Sequence, residues 1–155
     1  MKIDLTKKQY KELISMVAIA NGIVGVLGDT MGEIDYKKRS NEMTDMENYL
    51  LQYANDFSCG ELAQENEYEK TDILDDEYYE NEILPIINDY EEYATHDTLS
   101  NKLAWRDFRN DHSEAELKKM AKENDGYFGV EIYKYEKKYW DEFEEYEYDR
   151  LEIVE

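Results

Sequence analysis

Apolar side chains recur every three or four residues along most of this chain, and three Ser/Thr-x-x-Glu/Gln signatures mark where such runs begin, a pattern that suits helices and little else. Thr6 and Gln9 have the spacing of a capping box, and Leu5 and Tyr10 that of a hydrophobic staple, so the first helix should begin at Lys7. Tyr10, Leu13, Ile14, Val17, Ala20, Val24 and Leu27 line one face of it, while Met16, Ile19, Ile23 and Val26 populate the opposite side. Gly22, Gly25 and Gly28 weaken a helix, which points to close approach of a neighbouring backbone or to a bend. A phosphate cradle would need the Lys-Ser/Thr ending of a P-loop or a G-x-G-x-x-G turn, and neither is present.

Thr44 and Glu47 repeat the capping-box spacing, so a second helix starts there or earlier and carries a stripe of Met46, Leu50, Tyr53 and Phe57 that stops at Gly60. Tyr79, Ile83, Ile86, Ile87, Tyr90 and Ala94 predict a third, which Pro85 should kink or split before a turn around residues 95–97. Leu99, Leu103 and Phe108 predict a short fourth helix. Ser113 and Glu116 cap a fifth that ends at Asn124, Asp125 and Gly126. The last helix is aromatic on one face, with Ile132, Tyr135, Tyr139, Phe143 and Tyr146, and Trp140 and Tyr133 widen that face.

At 155 residues and 18.6 kDa, with 41% hydrophobic and 14% aromatic residues, the chain can bury about 68–70% of its unfolded surface. No repeat, linker or composition break divides it. The expected fold is therefore mainly all-α: one domain over residues 1–155, a helical bundle of five to six helices. Met1, Ile3 and Leu5 at one end, and Leu151 and Ile153 at the other, alternate with polar residues and predict a small two-stranded ribbon formed by the termini.

The formal charge is −21, and its distribution is more informative than its size. Residues 1–40 sum to +2, 41–60 to −4, 61–97 to −13, 98–140 to +1 and 141–155 to −7. A chain of this sign is repelled by nucleic acid and by anionic lipid headgroups, which argues against direct binding to either. The apolar run over residues 14–27 is shorter than the roughly 20 residues that cross a bilayer, so a buried helix is expected. A lone Cys59 cannot form an internal disulfide, and no basic segment followed by an apolar one opens the chain, so a cytoplasmic setting is expected.

Carboxylate-rich helices invite a di-metal proposal, but His96 and His112 are the only histidines and neither follows a Glu at the third position. His96 follows Glu92 by four and adjoins Asp97, a placement that suits a solvated or capping side chain better than a ligand. Asp72, Asp75 and Asp76 lack the alternation and central Gly of an EF-hand loop. Cys59 or Ser58 would have to recruit a histidine from a distant segment, so no nucleophile–base signature exists. No metal or cofactor is expected. Arg106 and Arg109 flank Asp107 and Phe108, and their guanidiniums should tie the fourth helix to an acidic neighbour.

Between Glu61 and Asp97 fourteen Asp and Glu stand against one Lys, with tyrosines interleaved. Carboxylates three and four apart on a helix lie about 5–6 Å apart at Cβ, so Asp75, Asp76, Glu80 and Glu82 would present closely spaced charge to a basic groove. Tyrosine rings among them could stack on arginine for about 0.5–2 kcal/mol each. In size, acidity and helicity the chain resembles DNA-mimicking and immunity-type inhibitors, a likeness of composition that rests on no residue motif. The expected function is non-catalytic binding of a basic protein partner. The expected contacts are Glu77, Tyr78, Glu80, Glu82, Tyr90, Glu91 and Glu92, with Asp141, Glu144, Glu145 and Tyr148 as a second block. A small enzyme built around Arg106, Arg109 and carboxylates is one alternative, and a structural subunit of a larger assembly is another.

Overall fold

The computed structural model describes residues 4–31, 35–68 and 70–152. The protein is mainly α-helical with one small antiparallel ribbon. Two compact units, residues 1–90 and 91–155, make it up. The division falls within a continuous helix, so no linker composition marks it.

In the first unit α1 (Lys7–Thr30) starts where the sequence predicts. The Thr6 hydroxyl accepts from the Gln9 backbone N–H at 3.3 Å, and Gln9 Oε1 accepts from the Thr6 N–H at 3.0 Å. Tyr10, Ile14 and Ala18 face the core, joined by Leu51, Ala54, Cys59, Leu62, Leu74, Ile83 and Ile87. Each fully buried large side chain in that cluster contributes about 1.5–3 kcal/mol. Tyr10 stacks on Phe57 with centroids 4.3 Å apart and donates to the Leu50 carbonyl at 2.7 Å. The helix glycines serve close approach: a Cβ on Gly28 would lie 3.1 Å from the Lys37 Cα, and one on Gly22 would lie 2.8 Å from Ile87 Cδ1. α1 runs for 24 residues and contains an 18-residue window of mean hydropathy 1.6, long and apolar enough to cross a membrane; only 11% of that window is buried, so the buried helix expected from the sequence is not what the structure shows.

The second helix, α2 (Tyr36–Leu51), begins well before Thr44, which lies inside it rather than capping it. Thr44 and Glu47 face α1 instead: Thr44 Oγ1 donates to Asn21 Oδ1 at 3.2 Å, and Asn21 Nδ2 donates to Glu47 Oε2 at 3.3 Å. The expected stripe is also displaced, because the helix ends at Leu51 and turns follow; Leu51 and Ala54 are buried while Met46 is 53% exposed. Glu47 is only 8% exposed, and burial pushes its carboxyl above the usual Glu value against the opposing hydrogen bond from Asn21. A raised folded-state value means that Glu47 contributes stability while protonated, and this is lost as pH rises past the ordinary Glu value and through the folded one. Glu47→Gln is therefore expected to raise the urea midpoint at pH 7 and to leave it unchanged below about pH 4, where both side chains are neutral. Equal midpoints at pH 7 would refute this.

A 3₁₀ turn (Gly60–Leu62) leads into β1 (Ala63–Glu65), which pairs antiparallel with β2 (Asp72–Leu74), Ala63 opposite Leu74 and Glu65 opposite Asp72. The ribbon is thus internal. Neither Leu5 nor Leu151 lies in a strand, and Met1, Ile3 and Ile153 fall outside the described residues. The ribbon's turn is held by the Asn66 side chain, whose Oδ1 accepts from the Tyr68 N–H at 2.9 Å, and by Lys70 at φ +57°.

Asp75 caps α3 (Asp76–Tyr78), a single turn, by accepting from the Tyr78 N–H at 2.9 Å. A π-helical segment (Tyr79–Ile83) follows and runs straight into α4 (Leu84–Asp111). Pro85 neither splits nor ends the helix. Its ring would meet the carbonyl four residues back, which belongs to Asn81, and there the backbone is already widened to the i+5 pattern.

No turn interrupts residues 95–97 either, so the expected third and fourth helices are one. His96 packs in the second unit on Phe143 (centroids 5.8 Å) and Tyr148 (5.3 Å), and such packing outweighs local turn preference. There, α5 (Glu114–Glu123) is capped by Ser113 and Glu116 as expected, and α6 (Gly129–Tyr146) presents its aromatic face. Ala104, Phe108 and Ile132 form the buried centre, ringed by Trp105, Leu117, Met120, Phe128, Tyr135 and Tyr139.

Candidate partner-binding cleft

In the first unit, α3 and the π segment hold Glu77, Glu80 and Glu82 exposed, and Tyr90 is 60% exposed on α4. Tyr78 is half-buried and engaged within the unit: its hydroxyl hydrogen-bonds Ser15 Oγ at 2.8 Å, and Lys11 Nζ lies 4.8 Å from its ring centroid. Asp75 is occupied by its capping role. What remains there is a row of carboxylates with one exposed ring.

The second unit does more. Glu92 and His96 stand four apart on α4, hence on one face; Trp140, Phe143 and Glu144 share a face of α6 by the same rule. These five, with Glu147, line a cleft of about 380 Å³. Its aromatic wall is continuous, since His96 lies edge-on to Trp140 at 6.2 Å and Tyr93 packs against Trp140 at 5.6 Å. Tyr148 packs on two of the lining rings, 5.6 Å from Phe143 and 5.3 Å from His96. Burial pushes the Tyr148 hydroxyl above its ordinary value, with Glu92 and Glu147 adding to the effect. Glu147 ends α6 at φ +50° and ψ −122°, a backbone state that costs an L residue roughly 1–3 kcal/mol.

The acids of α6 divide sharply. Asp141 pairs with Lys137 at 2.5 Å, Glu142 pairs with Arg150 at 3.0 Å, and Glu145 accepts from the Tyr146 hydroxyl at 2.6 Å. Arg150 also covers the Tyr146 ring at 4.2 Å. Among the described residues, Glu92, Glu144 and Glu147 have no such ion pair. Of the expected contacts, the fold therefore gathers Glu92, Glu144 and Tyr148 at one place, leaves Glu91 exposed, and holds Asp141 against a lysine. His96, Trp140, Phe143 and Glu147 are additions. Their signal in the sequence was the i, i+3, i+4 spacing of Trp140, Phe143 and Glu144.

The arginine pair lies elsewhere in this unit. Arg106 binds Asp107 at 2.8 Å and donates to the Tyr139 hydroxyl at 2.9 Å, while Tyr139 donates to Asp107 and Lys138 approaches it at 3.5 Å. Those donors, Tyr139 foremost, hold the Asp107 carboxyl below its usual value. Arg109 lies 5.3 Å from the Trp105 ring centroid. A larger cleft of about 610 Å³ adjoins this network, lined by Asp107, Asp111, His112, Glu131, Lys134 and Lys138 among others. Its carboxylates are taken up internally: Tyr135 donates to Asp111 at 3.0 Å and Asn124 to Glu131 at 3.0 Å. Among the described residues no group of three or more His, Cys, Asp and Glu is arranged to hold a metal ion.

No family model, curated protein or solved structure matches the chain.

Proposed function

We propose that this is a non-catalytic acidic binding protein that docks a basic protein partner in the cytoplasm. One observation carries the reading: Glu92, Glu144 and Glu147 stand around an aromatic cleft without an ion pair among the described residues, whereas Asp141 and Glu142 beside them are neutralised. Unpaired carboxylates beside aromatic rings attract cations through both Coulomb and ring-quadrupole terms. The exposed Glu77, Glu80 and Glu82 of the first unit add to the net negative charge that would attract such a partner.

The matching surface is a basic groove of the kind with which nucleic-acid-handling enzymes hold phosphates, which makes an inhibitor that mimics DNA charge the finer form of this reading. The test is capture of proteins from native cells on the immobilised full chain at low salt. A basic partner should be retained and then released as ionic strength rises past about 0.15 M, where the screening length is about 8 Å. Retention of only neutral or acidic proteins, or retention indifferent to salt, would overturn it.

A further inference from the structure

We infer that the cleft between Glu92 and Glu144 receives a single arginine side chain of the basic partner, which stacks its guanidinium on the Trp140 ring and pairs with the surrounding carboxylates. The inference rests on the proposed function and adds to it a place, an anchor and a ligand class.

The cleft of about 380 Å³ falls in the range of roughly 300–1,000 Å³ typical of ligand sites, so it is large enough for one long side chain and too small for a folded segment. Its wall and its rim ask for different properties in one group. Trp140 supplies a flat aromatic face to which His96 stands edge-on, with Phe143 almost wholly buried beside His96, and such a face favours a planar, weakly hydrated group. The rim of Glu92, Glu144 and Glu147 favours several N–H donors carrying positive charge. Guanidinium meets both demands, because it stacks on rings and binds carboxylates bidentately; ammonium is more strongly hydrated and acts as a point charge. The protein already makes this contact within itself nearby: Arg150 lies over Tyr146 while pairing with Glu142. The cleft sets carboxylates beside an aromatic ring in the same combination.

The experiment uses the full chain, nitrogen-15 labelled, titrated with a hexa-arginine and then a hexa-lysine peptide at low and high salt. The chain's two tryptophans give two indole N–H signals, assigned by W140F. The arginine peptide should move the Trp140 signal saturably and leave that of Trp105 in place, and the lysine peptide should bind several-fold more weakly. The double change E92Q/E144Q, at exposed positions, should weaken arginine-peptide binding about tenfold. E114Q/E123Q removes the same charge from α5 and should leave binding unchanged. Salt-sensitive binding in which Trp140 stays still, or an equal loss from E114Q/E123Q, would overturn the arginine cleft and leave the acidic-protein reading standing. Absence of salt-sensitive binding to either peptide would overturn both.

Discussion

Phe108→Ala is expected to lower stability by about 3–5 kcal/mol, a large part of the roughly 5–15 kcal/mol that holds an ordinary domain folded. Phe108 is 1% exposed, and its ring meets Trp105 at 5.8 Å, Phe128 at 5.7 Å, Tyr135 at 5.6 Å and His112 at 4.5 Å. Those partners come from α4, the connection that follows it, the segment leading into α6, and α6 itself, so truncation empties the point where they converge. Rigid rings cannot collapse into the void, which places the cost near the upper part of the range. His112 adds to it, because its Nδ1 hydrogen-bonds the Phe108 carbonyl at 2.8 Å and its ring rests on the one removed. Denaturant titration followed by near-ultraviolet circular dichroism measures the effect. A loss below about 1 kcal/mol would mean that this aromatic cluster is not the centre of the second unit.

The second large effect concerns rate. Once a partner has been captured, its association rate should fall about a hundredfold or more between roughly 0.01 M and 1 M salt, while dissociation changes far less. The basis is the net charge of −21 together with the concentration of acid in residues 61–97 and 141–155. At 0.01 M the screening length is about 30 Å, so carboxylates well away from the contact still steer the approach; at 1 M it is about 3 Å, and only groups in contact act. Stopped-flow mixing separates the two rates. Were salt to act chiefly on dissociation, attraction would be confined to the contact and the surrounding acids would be a solvated surface only.

Where a signal was local, it could be read from the chain. The Thr6 and Ser113 capping boxes formed as spaced, because each asks only for a hydroxyl and a side-chain oxygen three residues apart at a helix start. The same spacing at Thr44 and Glu47 misled, since nothing local records that Asn21 of α1 would claim both side chains. Of the kink or split expected at Pro85 the split did not occur: its clash is real, but the π segment just ahead of it gives the ring room, and such widening has no marker in hydrophobic periodicity. At the cleft the sequence named Glu92, Glu144 and Tyr148 from charge density and ring content. It read His96 as a turn residue, because a histidine between Thr95 and Asp97 shows its meaning only when α6 lies against it.

Cys59 has a practical consequence. Its sulfur is completely shielded among Tyr10, Leu62 and their neighbours, with the carbonyls of Phe57 and Lys7 at 3.6 and 3.8 Å, and it is the only thiol in the chain. A maleimide or disulfide reagent can reach it only during excursions that expose the core of residues 1–90, so the labelling velocity becomes a clock for those openings. The native protein thus carries its own reporter of conformational breathing.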